Sequence, residues 1–191
     1  MTLKFMGDSA EKCDRNFIRN KTERAVQSPD THPTITCLLD NPWLKPSSIL
    51  EIGAGSGCVL ARMQSITGAK CYGIEPSPKA CKFGNESFEG IKLYPGSAEV
   101  YPEIILKRKY ELILFGGVLF HISPLNFFKC ITNALAILED NGYIMIFDFH
   151  SQGSSIYRKY RHEDSQYVYK YDHTRILTAH PSFRLLYNKL L

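Results

Sequence analysis

At 191 residues the chain fits one domain with a sizeable core. It is 44% hydrophobic and 22% charged, as globular proteins are, and a net charge of +4 tolerates an anionic partner without demanding nucleic acid. The longest apolar runs, near Leu112–Phe120 and Tyr143–Phe149, fall far short of the about 20 residues of a membrane span.

No secretory h-region opens the chain. Cys13, Cys37, Cys58, Cys71, Cys81 and Cys130 include no C-x-x-C pair, which argues against a zinc or redox site. Several sit in apolar segments as small hydrophobes. A reducing, cytoplasmic setting is the expectation.

Residues 1–28 are polar, without a clean apolar period, and read as an arm. Thr34–Asp40 has Ile35, Leu38 and Leu39 at helical spacing before Asn41-Pro42. Ile49–Ile52 is a buried strand. Cys58–Thr67 is a helix with Val59, Leu60, Met63 and Ile66 on one face, stopped by Gly68. Lys70–Ile74 is the next strand, and Pro78–Phe83 starts a helix with proline in its first turn. Ile91–Tyr94 and Leu112–Phe115 are strands, the latter wholly apolar, as a strand buried on both faces should be. Pro124–Leu138 is a helix with Phe127, Phe128, Ile131, Leu135 and Leu138 on its apolar side. Asn141-Gly142 then turns the chain into a strand over Tyr143–Phe149. Gln166–Tyr171 and Phe183–Tyr187 read as two more strands with little helix between them. Strands alternating with helices imply an α/β fold with a parallel sheet and right-handed crossovers.

Ile49–Gly57 reads Ile-Leu-Glu-Ile-Gly-Ala-Gly-Ser-Gly. Glu51 closes the strand, and Gly53, Gly55 and Gly57 alternate behind it, with Ala54 between the first two. Glycines let a backbone turn sharply and approach a ligand closely. Glu75 ends the second strand about 20 residues on, at the carboxyl edge where parallel sheets bind ligands, and can accept from both hydroxyls of a ribose. A nicotinamide or flavin site prefers G-x-G-x-x-G/A. Counted from Gly53 the last small position is Cys58, and counted from Gly55 it is Leu60.

The pattern E-x-G-x-G-x-G resembles motif I of the class I S-adenosylmethionine-dependent methyltransferases. Gly73-Ile74-Glu75-Pro76-Ser77 resembles the second motif, whose acid holds the ribose. Gly96-Ser97-Ala98-Glu99 resembles the third, where a backbone amide and an acid meet the adenine. Phe115-Gly116-Gly117 stands where the fourth strand opens onto the methionine moiety, and Leu138-Glu139-Asp140-Asn141-Gly142-Tyr143 resembles the loop before strand five. The resemblance runs from about Ile49 to the C-terminus.

It implies a single-domain Rossmann-like methyltransferase fold, with a mostly parallel seven-stranded sheet in the order 3-2-1-4-5-7-6 and an antiparallel last strand. It implies S-adenosylmethionine as cofactor, S-adenosylhomocysteine as product, and no metal. The candidate cofactor-binding residues are Glu51, Gly53, Ala54, Gly55, Gly57, Glu75, Pro76, Ser97, Ala98, Glu99, Phe115, Gly116 and Gly117. Residues 41–191 form the cofactor-binding domain, and residues 1–40, an arm and a helix, are a candidate lid.

His121, a few residues past the fourth strand, is the candidate catalytic residue, because an imidazole suits a general base near neutral pH. Pocket lining and a structural role before the Pro124 helix are its other readings. Asp148 and His150 are weaker candidates. Tyr157–Arg175 interleaves tyrosines with Arg and Lys, a pattern that binds nucleic acid or a phosphorylated small molecule, or simply packs one face of a strand.

Several acceptor classes lack their residues. No D/N/S-P-P-Y/F motif follows strand four, no Pro-Cys nucleophile is present, and the clustered acids of metal-dependent catechol enzymes and of aminopropyl transferases are missing. The expected function is methyl transfer to O or N of a small-molecule acceptor, which an anionic molecule would suit, by a monomer or homodimer. RNA or protein methylation and a non-catalytic cofactor-binding module are the alternatives.

Overall fold

The computed structural model describes residues 11–18, 29–151, 156–160 and 163–190. Parts of the N-terminal arm, 1–10 and 19–28, therefore lie outside the described residues. Residues 11–18 form α1. A 3-10 turn, Pro29–Thr31, leads to α2 (Pro33–Asp40). β1 (Ser48–Ile52), α3 (Cys58–Thr67), β2 (Lys70–Glu75), α4 (Pro78–Ser87) and β3 (Ile91–Pro95) alternate from there. The short α5 (Glu103–Leu106), β4 (Tyr110–Gly116), a 3-10 turn at Leu119–His121, α6 (Pro124–Ala136) and β5 (Leu138–Phe147) follow. β6 (Ile156–Tyr160), β7 (Glu163–Lys170) and α7 (His173–Thr178) close the described chain.

The main sheet is wholly parallel, in the order β3-β2-β1-β4-β5. Period-two alternation divides its side chains between two layers. Leu50, Ile52, Ile74, Ile113 and Phe115 face one core, closed by Phe127, Cys130, Ile131 and Ala134 of α6. Ile49, Cys71, Leu112 and Leu114 face the other, closed by Leu60 and Met63 of α3 and by Ile35 and Leu38 of α2. Each fully buried Ile or Leu contributes about 1.5–3 kcal/mol through apolar surface removed from water. Burial on both faces explains why Leu112–Phe115 of β4 is an unbroken apolar run. Helix α2 thus belongs to the core, with Ile35 fully buried. Among the described residues no helix is long and apolar enough to cross a membrane.

The α/β fold and the order of the first five strands are as expected, but the strand count is corrected. Among the described residues, the expected seven-stranded sheet is a five-stranded one plus a separate antiparallel pair, β6-β7. Phe183–Tyr187 forms no strand, and α7 occupies ground expected to hold little helix. Asp172 caps α7 by accepting from the amides of Thr174 (3.1 Å) and Arg175 (3.3 Å), and Ile176 and Leu177 pack on the α6 core. The C-terminal segment runs to α2 instead of the sheet: Tyr187 Oη donates to Asp40 at 3.2 Å, and Lys189 pairs with the same carboxylate at 3.7 Å.

Two smaller readings also shift. Strand β5 begins at Leu138, opposite Tyr110, and the register then jumps to Leu112↔Tyr143, so Glu139–Gly142 bulge out with Asn141 at φ 60°. The buried stripe of α6 is Phe127, Cys130, Ile131 and Ala134, whereas Phe128 is 63% exposed.

Candidate functional site

The site lies at the carboxyl edge of the sheet, where β1, β2 and β4 end side by side. The turn after β1 requires positive φ at three positions: Gly53 (80°), Gly55 (54°) and Gly57 (79°). A non-glycine residue pays about 1–2 kcal/mol for each such angle, which is why the glycines alternate. The amides of Gly53 and Ala54 both donate to the Ile74 carbonyl, at 2.9 and 3.1 Å, pinning the loop to the end of β2. Gly57 is the N-cap of α3 and provides no side-chain cap, so the first amides of that helix remain open to a ligand.

Glu75 organises this loop. Its Oε2 accepts from the Gly55 amide and its Oε1 from the Ser77 amide, both at 2.9 Å. Burial pushes its carboxyl upward, while those two amides pull it down. Each oxygen retains a lone pair for a further donor. Ser77 in turn caps α4 by accepting from Ala80 at 3.1 Å. Pro76, between the two, is half-buried.

Glu51 lies on the face of the sheet that carries Cys71, Gly73 and Glu75, paired laterally with Gly73 and Leu114. Gly116 of β4 brings no side chain against it: a Cβ there would sit 2.8 Å from Glu51 Oε1. The side chain is 4% exposed, and among the described residues its Oε2 has no hydrogen-bond partner. Burial, reinforced by the charge of Glu75, raises its carboxyl to about 8.

The remaining predicted residues are placed differently. Ser97 closes a small turn with Val100, accepting from its amide through both carbonyl (3.2 Å) and Oγ (3.2 Å). Ala98 is buried, and the carbonyls of Ala98 and Glu99 accept from Asn133 of α6 at 3.4 and 3.0 Å. This holds the half-buried Glu99 at the edge of the site. The Phe115 side chain points into the α6 core and is fully buried, so only its backbone can meet a ligand. Gly116 and Gly117 lie at the mouth, and the Gly117 amide donates to Phe147 at 2.7 Å.

His121 ends the 3-10 turn above β4, its ring 3.8 Å from that of Phe120. Burial drops its imidazole to about 4, so it is neutral at physiological pH. Asp148, just past β5, secures the same turn: its Oδ2 accepts from the Phe120 amide at 3.1 Å and its Oδ1 from the Phe149 amide at 2.7 Å. Burial lifts Asp148 to about 6 against those bonds.

Sequence reasoning missed Asp14. From α1 it accepts from Ser77 Oγ and from the Lys79 amide (3.2 Å), and it pairs with Lys79 Nζ at 3.7 Å. It thus stands at the N-terminus of α4, next to Glu75. No local pattern in a polar arm signals such a long-range contact.

A cavity of about 440 Å³ opens where the first turns of α6 meet the β6-β7 pair. Phe127, Phe128, Tyr157, Tyr169 and Tyr171 line it. The Tyr157 and Tyr167 rings stack at 4.6 Å, so the tyrosine alternation packs one face of the hairpin.

The residues present fit an S-adenosyl cofactor. An open glycine cradle faces the Glu75 carboxylate, and a second, buried carboxylate oxygen lacks a partner among the described residues. Among the described residues no group of His, Cys, Asp and Glu could hold a metal ion.

Comparison with known proteins agrees. The profile of a family described as "Methyltransferase domain" matches residues 17–183. The chain is 40% identical over 68 residues to cyclosporin synthetase of Tolypocladium inflatum, a stretch that is 35% of this chain and 0% of that far longer protein. Among solved structures, it resembles the 1,6-didemethyltoxoflavin-N1-methyltransferase of Burkholderia thailandensis, solved with bound 1,6-didemethyltoxoflavin and S-adenosylhomocysteine. That match has a TM-score of 0.65 and 15% identity, over 92% of this chain and 77% of the other. It also resembles DhpI bound to S-adenosylhomocysteine, with a TM-score of 0.64 and 13% identity over 91% and 88% of the two chains. At such identities the structures speak for the fold, and the family profile speaks for the family. The chain belongs to the methyltransferase-domain family, and its fold is similar to that of methyltransferases solved with S-adenosylhomocysteine.

Proposed function

We propose that the enzyme methylates an O or N atom of a small molecule whose apolar or aromatic body lies in the cavity between α6 and the β6-β7 pair. The observation that carries this reading is the cavity itself. Its volume suits a small organic ligand. Its α6 residues, Pro124, Phe127 and Phe128, come from the helix end that follows β4, the end nearest the site. The lining is aromatic and apolar, so it favours a flat or greasy body over the anionic acceptor that net charge alone would suit.

The cofactor supplies a methyl group already activated by the sulfonium charge. The protein's task is to align the acceptor and exclude water. Gly53, Ala54, Gly55 and Gly57 bring backbone close to the amino-acid end, and Glu75, with Pro76 beside it, accepts from the ribose hydroxyls. Ser97, Ala98 and Glu99 border the adenine, with the Ala98 amide and the Glu99 carboxylate as its partners. The backbone of Phe115, Gly116 and Gly117 borders the methionine moiety. Helix α1, tied to Ser77 and Lys79 through Asp14, is the described part of the lid expected of residues 1–40 and covers the ribose side. His121 stands beside the acceptor as a neutral imidazole. With its basicity lowered by burial, it suits positioning the acceptor better than removing a strongly held proton.

The test is a screen of small-molecule and RNA or protein pools for acceptor-dependent formation of S-adenosylhomocysteine. Product from the small-molecule pool, with the acceptor KM raised about tenfold or more by Tyr169→Ala as expected of a lost ligand contact, supports the reading. Product from the macromolecular pools alone overturns it. Cofactor binding with no product from any pool would favour a non-catalytic module.

A further inference from the structure

Glu51 has an environment that positions no backbone group. Its Oε2 is buried with no hydrogen-bond partner among the described residues, and Gly116 at the end of β4 brings no side chain against its Oε1, where a Cβ would sit 2.8 Å away. The charge that acts on it comes from another acid, Glu75. The titratable groups around it are Glu75 and Cys71 on β2, with Cys13 and Asp14 of α1 behind Glu75. Leu114 and Gly116 of β4 add none. On the same side of the sheet, across Phe147 of β5, stands His32, its ring 4.7 Å from the phenylalanine ring. A carboxylate in such surroundings needs a cation or a proton.

We propose that Glu51 holds a proton in the cofactor-free enzyme and releases it when the ammonium group of the cofactor's amino-acid end arrives, so that cofactor binding expels one proton. The inference rests on the reading that this site binds S-adenosylmethionine. The exchange balances. The carboxyl O–H bond breaks and its proton goes to solvent. The carboxylate left behind accepts from an ammonium N–H, and no bond of the cofactor changes. The site thereby selects ligands that carry an ammonium group over plain nucleosides, because only an ammonium replaces the lost proton. The raised carboxyl, at about 8, places the exchange across the neutral range.

Calorimetric titration of the wild-type protein with S-adenosylhomocysteine tests this, in phosphate, HEPES and Tris buffers between pH 6 and 8. The observed heat should vary with the ionisation enthalpy of the buffer, with a slope of about one proton released at pH 6–7. The dissociation constant should fall by about tenfold per pH unit over that span. 5′-Methylthioadenosine, which has the nucleoside and sulfur but no ammonium group, should bind without buffer dependence. Glu51→Gln should abolish the proton release to S-adenosylhomocysteine. Tight binding of S-adenosylhomocysteine with the same heat in every buffer overturns the proposal and leaves the cofactor reading intact. Absence of binding at every pH overturns the cofactor reading itself.

Discussion

Glu75 and His121 show how burial sets what a residue can do. Glu75 is legible as a ribose acid, yet it also serves the loop by accepting from Gly55 and Ser77. Glu75→Ala removes both functions. Hydrogen bonds to a charged group are worth about 1.5–3 kcal/mol each, so the dissociation constant for S-adenosylhomocysteine should rise by about 10²-fold or more in calorimetry. Far-ultraviolet circular dichroism should remain native. Unchanged affinity would remove Glu75 from the site. His121, held at about 4 by burial, should give no step in kcat between pH 6 and 7. His121→Ala should move the acceptor KM more than kcat. A loss of about 10²–10⁴-fold in kcat at constant KM would instead establish a general base.

The decisive contact at the level of elements is the approach of the glycine loop and α3 to β2. Gly73 makes it close. A Cβ there would lie 2.4 Å from Leu93 Cδ2 and 2.7 Å from Ala54 Cβ. Gly73→Ala should therefore cost about 1–3 kcal/mol in chemical denaturation through overpacking, and should weaken cofactor binding by displacing Ala54. Wild-type stability and affinity in this variant would show that the loop and strand do not constrain one another. The same scale explains the α6 stripe. Phe127, Cys130, Ile131 and Ala134 follow i, i+3, i+4, i+7, while Phe128 turns outward to line the cavity. The sequence period admits either phenylalanine. The direction in which α6 crosses the sheet chooses between them.

For the whole molecule, a ligand that binds only the folded state stabilises it by mass action. S-Adenosylhomocysteine at about 100 times its dissociation constant adds about 2.7 kcal/mol, and a chain of this size gains roughly 2–4 °C per kcal/mol. A thermal shift of about 5–10 °C is expected, with none from NAD, because the loop lacks the third small residue of a dinucleotide turn. A shift with NAD and none with S-adenosylhomocysteine would reverse the cofactor assignment. Acid sensitivity also belongs to this scale. His121 and His173 are both held at about 4 by burial, below their ordinary value. The unfolded chain therefore binds more protons between about pH 4 and 6.5, and their contribution to stability rises with pH through that window. His173→Phe should flatten the rise in melting temperature from pH 4 to 6.5.

The sequence by itself determined the elements whose cause is local. Apolar runs marked β1, β2 and β4, because both faces of a parallel sheet are buried. Alternating glycines marked the turn, because positive φ admits little else. The acid of β2 lay in a fixed register with the loop. Five such motifs in order were enough for the family. Tertiary structure alone decided what depends on contacts far apart in the chain. It brought Asp14 to Ser77 across 63 residues. It separated β6-β7 from the sheet and sent the C-terminal segment to Asp40, where Tyr187 and Lys189 find partners. It also left the Oε2 of Glu51 buried without a hydrogen-bond partner among the described residues, beside Gly116 of β4, which brings no side chain to it. Period and propensity act over a few residues, whereas burial and charge are fixed by whatever the whole chain places alongside.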